Sequence, residues 1–148
     1  MSDKTRVWAI VPVKRFSTAK SRLASVLAPV ERAELARLMF EDVLDILALC
    51  KEYLAGKIVV TSDDCVAALA SGRGAVVVYD TADNGINAAV RLAIHHIDRS
   101  HDDGVIVVPS DIPQLSLDGI AKAVAAIAAP RRLAVVPATE DVGTNLLA

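Results

Sequence analysis

The stretch VWAIVPV at Val7–Val13 consists of apolar residues, and the polar, cationic segment KRFSTAKSRL follows it at 14–23. A short apolar run of this kind is typical of a strand that is covered on both faces of a sheet. In an open parallel sheet, ligands bind beyond the carboxyl ends of the strands. The opening of the chain therefore predicts a buried first strand whose following loop belongs to a binding site.

Four further apolar runs alternate with helical patterns along the rest of the chain. The runs lie at 57–61, 75–79, 104–108 and 133–136. The apolar spacing between them predicts helices at 29–50, 62–69, 86–97 and 117–129. Strands that alternate with helices predict an α/β domain, with a mostly parallel, Rossmann-like sheet and helices on both faces. All 148 residues are assigned to this single domain.

Composition indicates a folded protein that works in water. Hydrophobic residues make up 53% of the chain and aromatic residues only 3%, so Ala, Val, Leu and Ile must form the core. No apolar run approaches the ~18 residues of a membrane span, and the N-terminus lacks the pattern of a secretory signal. We therefore expect a cytoplasmic protein with no membrane partner. Cys50 and Cys65 lack metal-ligand spacing, and we expect two buried, reduced thiols.

The charges are distributed unevenly. The net charge of −2 produces no general attraction to nucleic acid, and none is expected as a partner. Residues 4–30 nevertheless contain six basic side chains and no acidic one, and all 18 acidic residues lie elsewhere. The basic residues are Lys4, Arg6, Lys14, Arg15, Lys20 and Arg22. A local positive site of this size suits a phosphate group better than a polynucleotide.

The loop after the first strand is a candidate site for a triphosphate. Lys14, Lys20 and Arg22 can offset the charge of the phosphates, and loop N–H groups can hold their oxygens. A solvated basic loop is the alternative interpretation. No GxGxxG follows this strand and no GxxxxGK[ST] occurs in the sequence, which argues against a dinucleotide-binding domain and a P-loop enzyme.

The segment VIVVPSDIPQLS at 105–116 places Asp111 directly after the fourth predicted strand. Pro109 and Pro113 restrict the backbone on either side and could hold this carboxylate in one place. A fixed carboxylate at a strand end is a suitable ligand for Mg²⁺, with phosphates completing the coordination. An aspartate that caps a turn is the alternative.

Two further loops follow predicted strands. DTADNGINA at 80–88 supplies Asn87, whose side chain carries the donor and the acceptor that a base edge or a ribose needs. EDVGTNLLA at 140–148 supplies Thr144 and Asn145, which could hold a small phosphorylated acid. Ordinary turns are the alternative for both segments.

Taken in order, five segments resemble the guanylyltransferases of coenzyme F420 biosynthesis. They are VPVK, SxAKxRL, DNGINAA, PSDIP and GTNxL, and they extend over essentially the whole chain. The resemblance implies a nucleotide-diphospho-sugar-transferase-like fold of the GT-A type. It also implies a reaction in which GMP from GTP is joined to phosphoenolpyruvate, 2-phospholactate or 3-phosphoglycerate, with release of pyrophosphate.

The resemblance implies roles for individual residues. Lys20, Arg22 and Asp111 are implied as catalytic, with Asp111 as the ligand of Mg²⁺. Thr144 and Asn145 are implied to bind the phosphorylated acid. The residues expected at the nucleotide are Pro12, Val13, Lys14, Lys20, Asn87, Pro109 and Asp111.

Members of this family usually continue past the GTN motif, with a later aspartate that completes the metal site. We expect this chain to lack that C-terminal portion. One alternative function is another nucleotidyltransferase, acting on a sugar phosphate or a molybdenum cofactor, although its usual Gly-rich first loop is missing here. Another is a non-catalytic nucleotide-binding relative. The expected ligands are GTP and a small phosphorylated acid, with a homodimer among the alternatives for assembly.

Overall fold

A computed structural model describes residues 6–97, 104–112, 115–127, 135–137 and 144–147, the last two ranges as backbone only. These residues contain six strands and four α-helices. In chain order they are β1 (Val7–Val13), α1 (Pro29–Leu49), β2 (Gly56–Thr61), α2 (Asp64–Gly72), β3 (Val76–Tyr79), α3 (Ile86–His96), β4 (Gly104–Val107), α4 (Leu117–Ile127), β5 (Val135–Pro137) and β6 (Thr144–Leu147). Two 3-10 turns, Phe16–Thr18 and Ser21–Leu23, lie between β1 and α1.

The strands form one sheet in the order β3-β2-β1-β4-β6-β5. β1 pairs in parallel with β2 on one side and with β4 on the other, and β2 pairs in parallel with β3. β6 runs antiparallel to both β4 and β5. The chain first builds the sheet from β1 towards β3 and then returns to the other side of β1. The switch point between β1 and β4 is where an open α/β sheet forms a ligand cleft.

Helices cover both faces of the sheet, as the sequence predicts. On one face, α1, α2 and α4 bury apolar side chains against a set of β1 residues that includes Ala9 and Val11. On the other face, α3 packs against Ile10 and its neighbours in β2 and β3. β1 is therefore buried on both sides, which explains why its sequence is apolar without polar alternation.

The boundaries of most elements agree with the prediction. β1 has the predicted range, and the ends of the other predicted helices and strands are shifted by a few residues. Residues 98–103, 113–114 and 128–134 lie outside the described part of the chain, so predictions that fall on them are not compared. The expectation of a loop over 140–148 is wrong for Thr144–Leu147, which forms strand β6. This strand is short and begins with two polar residues, so its identity depends on the neighbours that it pairs with.

The acidic segment after β2 caps helix α2 through Asp63. Asp63 Oδ1 accepts a hydrogen bond from Cys65 N at 2.8 Å, and Asp63 Oδ2 accepts one from Phe16 N at 3.1 Å. The Phe16 ring is buried and lies 6.0 Å from the Phe40 ring, centroid to centroid. One carboxylate thus starts α2 and fixes the loop that follows β1.

The two cysteines have different environments. Cys50 is buried, its Sγ donates to Ile46 O at 3.2 Å, and burial raises the pKa of its thiol. Cys65 is exposed in the first turn of α2, so the expectation of two buried thiols is wrong for this residue. Both thiols are free. Within the described ranges, each helix is too short or too polar to cross a bilayer.

We predict that Asp63→Ala lowers the free energy of unfolding by about 1–3 kcal/mol, because it removes a helix cap and the acceptor of the Phe16 N–H. Asp64→Ala is the matched control, since this neighbouring carboxylate is exposed and its contact with Tyr79 Oη is long, at 3.4 Å. Urea denaturation followed by circular dichroism measures both. Equal losses in the two variants would contradict the proposed double role of Asp63.

Candidate functional site

A cleft of about 320 Å³ opens at the carboxyl ends of β1, β2, β3 and β4. It lies beside the switch point of the sheet, and its volume is within the range of small-molecule sites. Residues after each of these four strands line it, together with the first turns of α3 and one side chain of α1. The loops that the sequence singled out after the first, third and fourth strands therefore meet at one cavity, together with the loop after β2.

An ion pair joins the loops after β1 and β4 at this cleft. Lys20 Nζ donates to Asp111 Oδ2 at 2.8 Å. Lys20 has the left-handed backbone conformation (φ 56°, ψ 34°), which costs a non-glycine residue about 1 kcal/mol. The end of β4 is held beside β1 by the hydrogen bond from Val108 N to Ile10 O, at 2.9 Å. Residues 91 positions apart in sequence are thus brought into direct contact.

The ion pair remains accessible to a ligand. The Lys20 side chain is 21% exposed and that of Asp111 is 50% exposed. Pro12, Val13 and Lys14 at the end of β1 also line the cleft, as do Pro109 and Asp111 after β4. With Lys20, six of the seven residues that the sequence assigns to the nucleotide therefore line this cleft. Their chemical roles stay predictions.

The structure places four other candidate residues elsewhere or describes them only in part. Arg22 is exposed in the second 3-10 turn and Asn87 is exposed in the first turn of α3, and neither is among the residues that line the cleft. Thr144 and Asn145 are in β6, where Thr144 is opposite Pro137 of β5. Pro113 and the loop 138–143 lie outside the described residues.

The cleft contains two buried polar residues that the sequence analysis did not select. Thr61 ends β2 and is 1% exposed, and Asp80 follows β3 and is 8% exposed. Asp80 N donates to Thr61 O at 3.0 Å, so β3 pairing continues to this point. Asp80 Oδ1 accepts from Ala82 N and from Asp83 N, both at 3.2 Å, and so shapes its own loop. Its position as the first polar residue after an apolar strand was the signal that could have identified it.

The loop after Asp80 forms one wall of the cleft. Asp83 (φ 46°) and Gly85 (φ 91°, ψ 180°) have positive φ, and the Gly85 conformation is one that essentially only glycine adopts. This turn places Ile86 and Ala89 of α3 in the cleft lining. Ile86 is 61% exposed, so the wall presents an apolar surface to solvent.

The donor set at the ion pair suits a magnesium ion only in part. The described ranges contain no group of three or more His, Cys, Asp or Glu side chains that could hold a metal. Asp111 provides one accessible carboxylate beside Lys20 in the cleft. Mg²⁺ is commonly bound by one or two carboxylates together with substrate phosphates and water, so this arrangement is compatible with it.

Comparison with known proteins identifies relatives with a defined activity. Phosphoenolpyruvate guanylyltransferase of Roseiflexus castenholzii is 38% identical over 141 residues, which are 95% of this chain and 62% of that protein. 3-Phospho-D-glycerate guanylyltransferase of Phenylobacterium zucineum is 34% identical over 95% of this chain and 65% of its own length. 2-Phospho-L-lactate guanylyltransferase of Methanobrevibacter smithii is 30% identical over 72% of this chain and 46% of its own length. The chain spans less than two thirds of the length of each of these relatives.

Solved structures agree on the fold. A putative nucleotide-diphospho-sugar transferase from Desulfovibrio desulfuricans G20 superposes with a TM-score of 0.70 at 20% identity, over 97% of this chain and 62% of that one. A nucleotidyl transferase from Methanothermobacter superposes with a TM-score of 0.63 at 19% identity, over 96% of this chain and 70% of that one. The nucleotide-diphospho-sugar-transferase-like fold expected from the sequence is confirmed.

The family model described as "Guanylyl transferase CofC like" matches residues 7–148. That range begins with β1 and includes every strand and helix described above. The chain therefore belongs to the CofC-like guanylyl transferase family.

Proposed function

We propose that this chain supplies the nucleotide-binding part of a guanylyltransferase that joins GMP from GTP to a phosphorylated three-carbon acid in coenzyme F420 biosynthesis. The acid is phosphoenolpyruvate, 2-phospholactate or 3-phosphoglycerate, as in the names of the relatives. The observation that carries the proposal is the Lys20–Asp111 ion pair at the switch-point cleft of a chain that belongs to this family. We also propose a cytoplasmic location, because both substrates are charged and do not cross membranes unaided.

The cationic end of the cleft has the chemistry that a triphosphate requires. Lys14 and Lys20 line it, and their charges would offset those of the phosphates. Lys20 is paired with Asp111. We infer that nucleotide binding exchanges this pair, with Lys20 moving to a phosphate oxygen and Asp111 becoming free to bind a cation.

The proposed reaction needs positioning more than acid–base chemistry. A phosphate oxygen of the acid attacks the α-phosphorus of GTP, the bond to the β-phosphate breaks, and pyrophosphate leaves. The attacking oxygen is already anionic at neutral pH, so no general base is required. The chain's contribution is to hold two anions close together and to stabilise the charge that develops on the leaving group.

Asp111 is the residue that we propose to hold Mg²⁺. When bound, the ion would supply Lewis-acid polarisation and charge neutralisation at the phosphates. Lys20 would remain beside it to orient the leaving pyrophosphate. Arg22, exposed one turn further on, stays a prediction for the same role, because it is not among the residues that line the cleft.

We expect Asp111→Asn to reduce pyrophosphate release from GTP by about 100-fold or more, since removing a metal ligand removes much of the charge stabilisation. The assay combines GTP and Mg²⁺ with each of the three acids in turn. Asp118→Asn, on the exposed face of α4, is the matched control and should keep the wild-type rate. Unchanged turnover in Asp111→Asn would remove this residue from the mechanism, and tight GTP binding without turnover in the wild type would favour a non-catalytic relative.

We predict that Lys20→Met weakens GTP binding by about 10- to 100-fold, the effect of losing one charge-assisted hydrogen bond to a phosphate. Lys122→Met is the control, because Lys122 is equally cationic, 78% exposed and located on α4. Titration calorimetry at low ionic strength measures both affinities. A loss of the same size in the two variants would indicate a general charge effect rather than a contact with the nucleotide.

We expect GTP to raise the melting temperature more than ATP, CTP or UTP at equal concentration. The stabilisation grows with the affinity of the ligand for the native state, and GTP is the proposed substrate. Chelation of Mg²⁺ with EDTA should remove most of the GTP-dependent shift. Differential scanning fluorimetry provides the comparison. A larger shift with CTP or UTP would favour the alternative of a sugar-phosphate nucleotidyltransferase.

A further inference from the structure

We propose that Asp80 recognises the base of the bound nucleotide, with its Oδ2 accepting hydrogen bonds from the adjacent N1–H and N2–H donors of guanine. This inference rests on the proposed function, since it assumes that the cleft holds a nucleoside triphosphate. It adds the residue that selects guanine over the other bases.

Asp80 combines burial with an acceptor that is not in use. It is only 8% exposed, and its Oδ1 accepts from two backbone N–H groups of its own loop. Among the described residues, no donor reaches Oδ2. An ionised carboxylate has about four acceptor positions, and a buried one gains stability when they are filled. Since Asp80 lines the cleft, a ligand with N–H groups at this end would fill the remaining positions.

The position of Asp80 along the sheet suits the base of a nucleotide whose phosphates are at Lys20. The carboxyl ends of β3, β2, β1 and β4 follow one another across the cleft. Adjacent strands lie about 4.8 Å apart, so the ends of β3 and β4 are separated by about 14 Å. An extended nucleoside triphosphate can span this distance, with its phosphates at β1 and β4 and its base at β3.

The charges and the walls favour this orientation over the reverse one. Asp80 and Asp83 make the β3 end of the cleft acidic, which repels phosphates. After β1 and β4, the two cations Lys14 and Lys20 line the cleft with the single carboxylate of Asp111. Ile86, Val60 and Ala89 provide apolar surface beside Asp80. A planar base can pack against such side chains, and the 61% exposure of Ile86 would fall when it does.

Guanine is the common base whose edge matches a carboxylate. It presents two adjacent donors, N1–H and N2–H. Adenine and cytosine place a ring acceptor next to their amino group, and uracil places carbonyl oxygens on both sides of its single donor. A carboxylate, which only accepts, would face lone pairs in each of those cases. Such mismatches of buried polar groups are an effective source of specificity.

The experiment replaces the acceptor Oδ2 with a donor. In Asp80→Asn, the side-chain carbonyl can keep the hydrogen bonds from Ala82 N and Asp83 N, while the amide nitrogen takes the place of Oδ2. We expect GTP binding to weaken by about 10- to 100-fold. Xanthosine triphosphate has a carbonyl oxygen in place of the 2-amino group, and the new amide nitrogen can donate to it, although the N1–H of xanthine still faces that nitrogen. The variant should therefore lose less affinity for XTP than for GTP, and the GTP-to-XTP affinity ratio should fall by about 10-fold, as measured by calorimetry.

Asp64→Asn is the matched control. It removes the same charge beside the carboxyl end of β2, but Asp64 is exposed and does not line the cleft, so the GTP-to-XTP ratio should stay as in the wild type. A folded Asp80→Asn variant that keeps the wild-type ratio would overturn the inference while leaving the proposed function intact. An equal fall of the ratio in both variants would also overturn it, because the cause would then be charge alone.

A second measurement needs no variant and decides the matter if Asp80→Asn does not fold. Inosine triphosphate lacks only the 2-amino group, so the wild type should bind it about 10-fold more weakly than GTP. Equal affinities for the two nucleotides would overturn the inference. Failure of the wild type to bind GTP at all would overturn the proposed function, and this inference with it.

Discussion

The pairing of β1 with β2 on one side and with β4 on the other is the constraint on which the rest of the structure depends. These ladders fix the register Ile10↔Ile58 and Ile10↔Val107, so β1 and β2 end side by side at Val13 and Thr61, whereas β4 ends opposite Ile10. The connections from β1 towards β2 and from β3 towards β4 pass on opposite sides of β1. Helices therefore do not fill the space beyond the carboxyl ends of β1 and β4, and a cleft forms there. The loops after these strands then have only one place in which to meet.

Charge is distributed along that cleft in a definite order. The Lys20–Asp111 pair occupies the end at β1 and β4, and the Asp80 loop occupies the end at β3. A ligand with one strongly anionic end and one end rich in N–H donors is complementary to this order.

The parts of the fold that could be predicted from the sequence are those whose signals are local. β1 and α1 were predicted nearly residue by residue, because burial on both faces and the helical spacing of apolar residues are visible in the sequence itself. Lys20 and Asp111 could be assigned to one site, because strand ends of a parallel sheet lie at one edge. Asp80 was passed over because its importance comes from burial, which the sequence does not state. β6 was missed because a strand of four residues is defined by its partners.

The sheet consists of two parts that are joined unequally. β1 to β4 share continuous parallel ladders, whereas the described contact between β4 and the antiparallel pair β5–β6 is a single residue pair, Val107↔Leu147. Local opening requires the loss of only those bonds that join a segment to its neighbours. On the described pairing, β5 and β6 can therefore separate from the sheet while the strands beneath the cleft stay paired, and the amide protons of β5 and β6 should exchange with solvent well before those of β1.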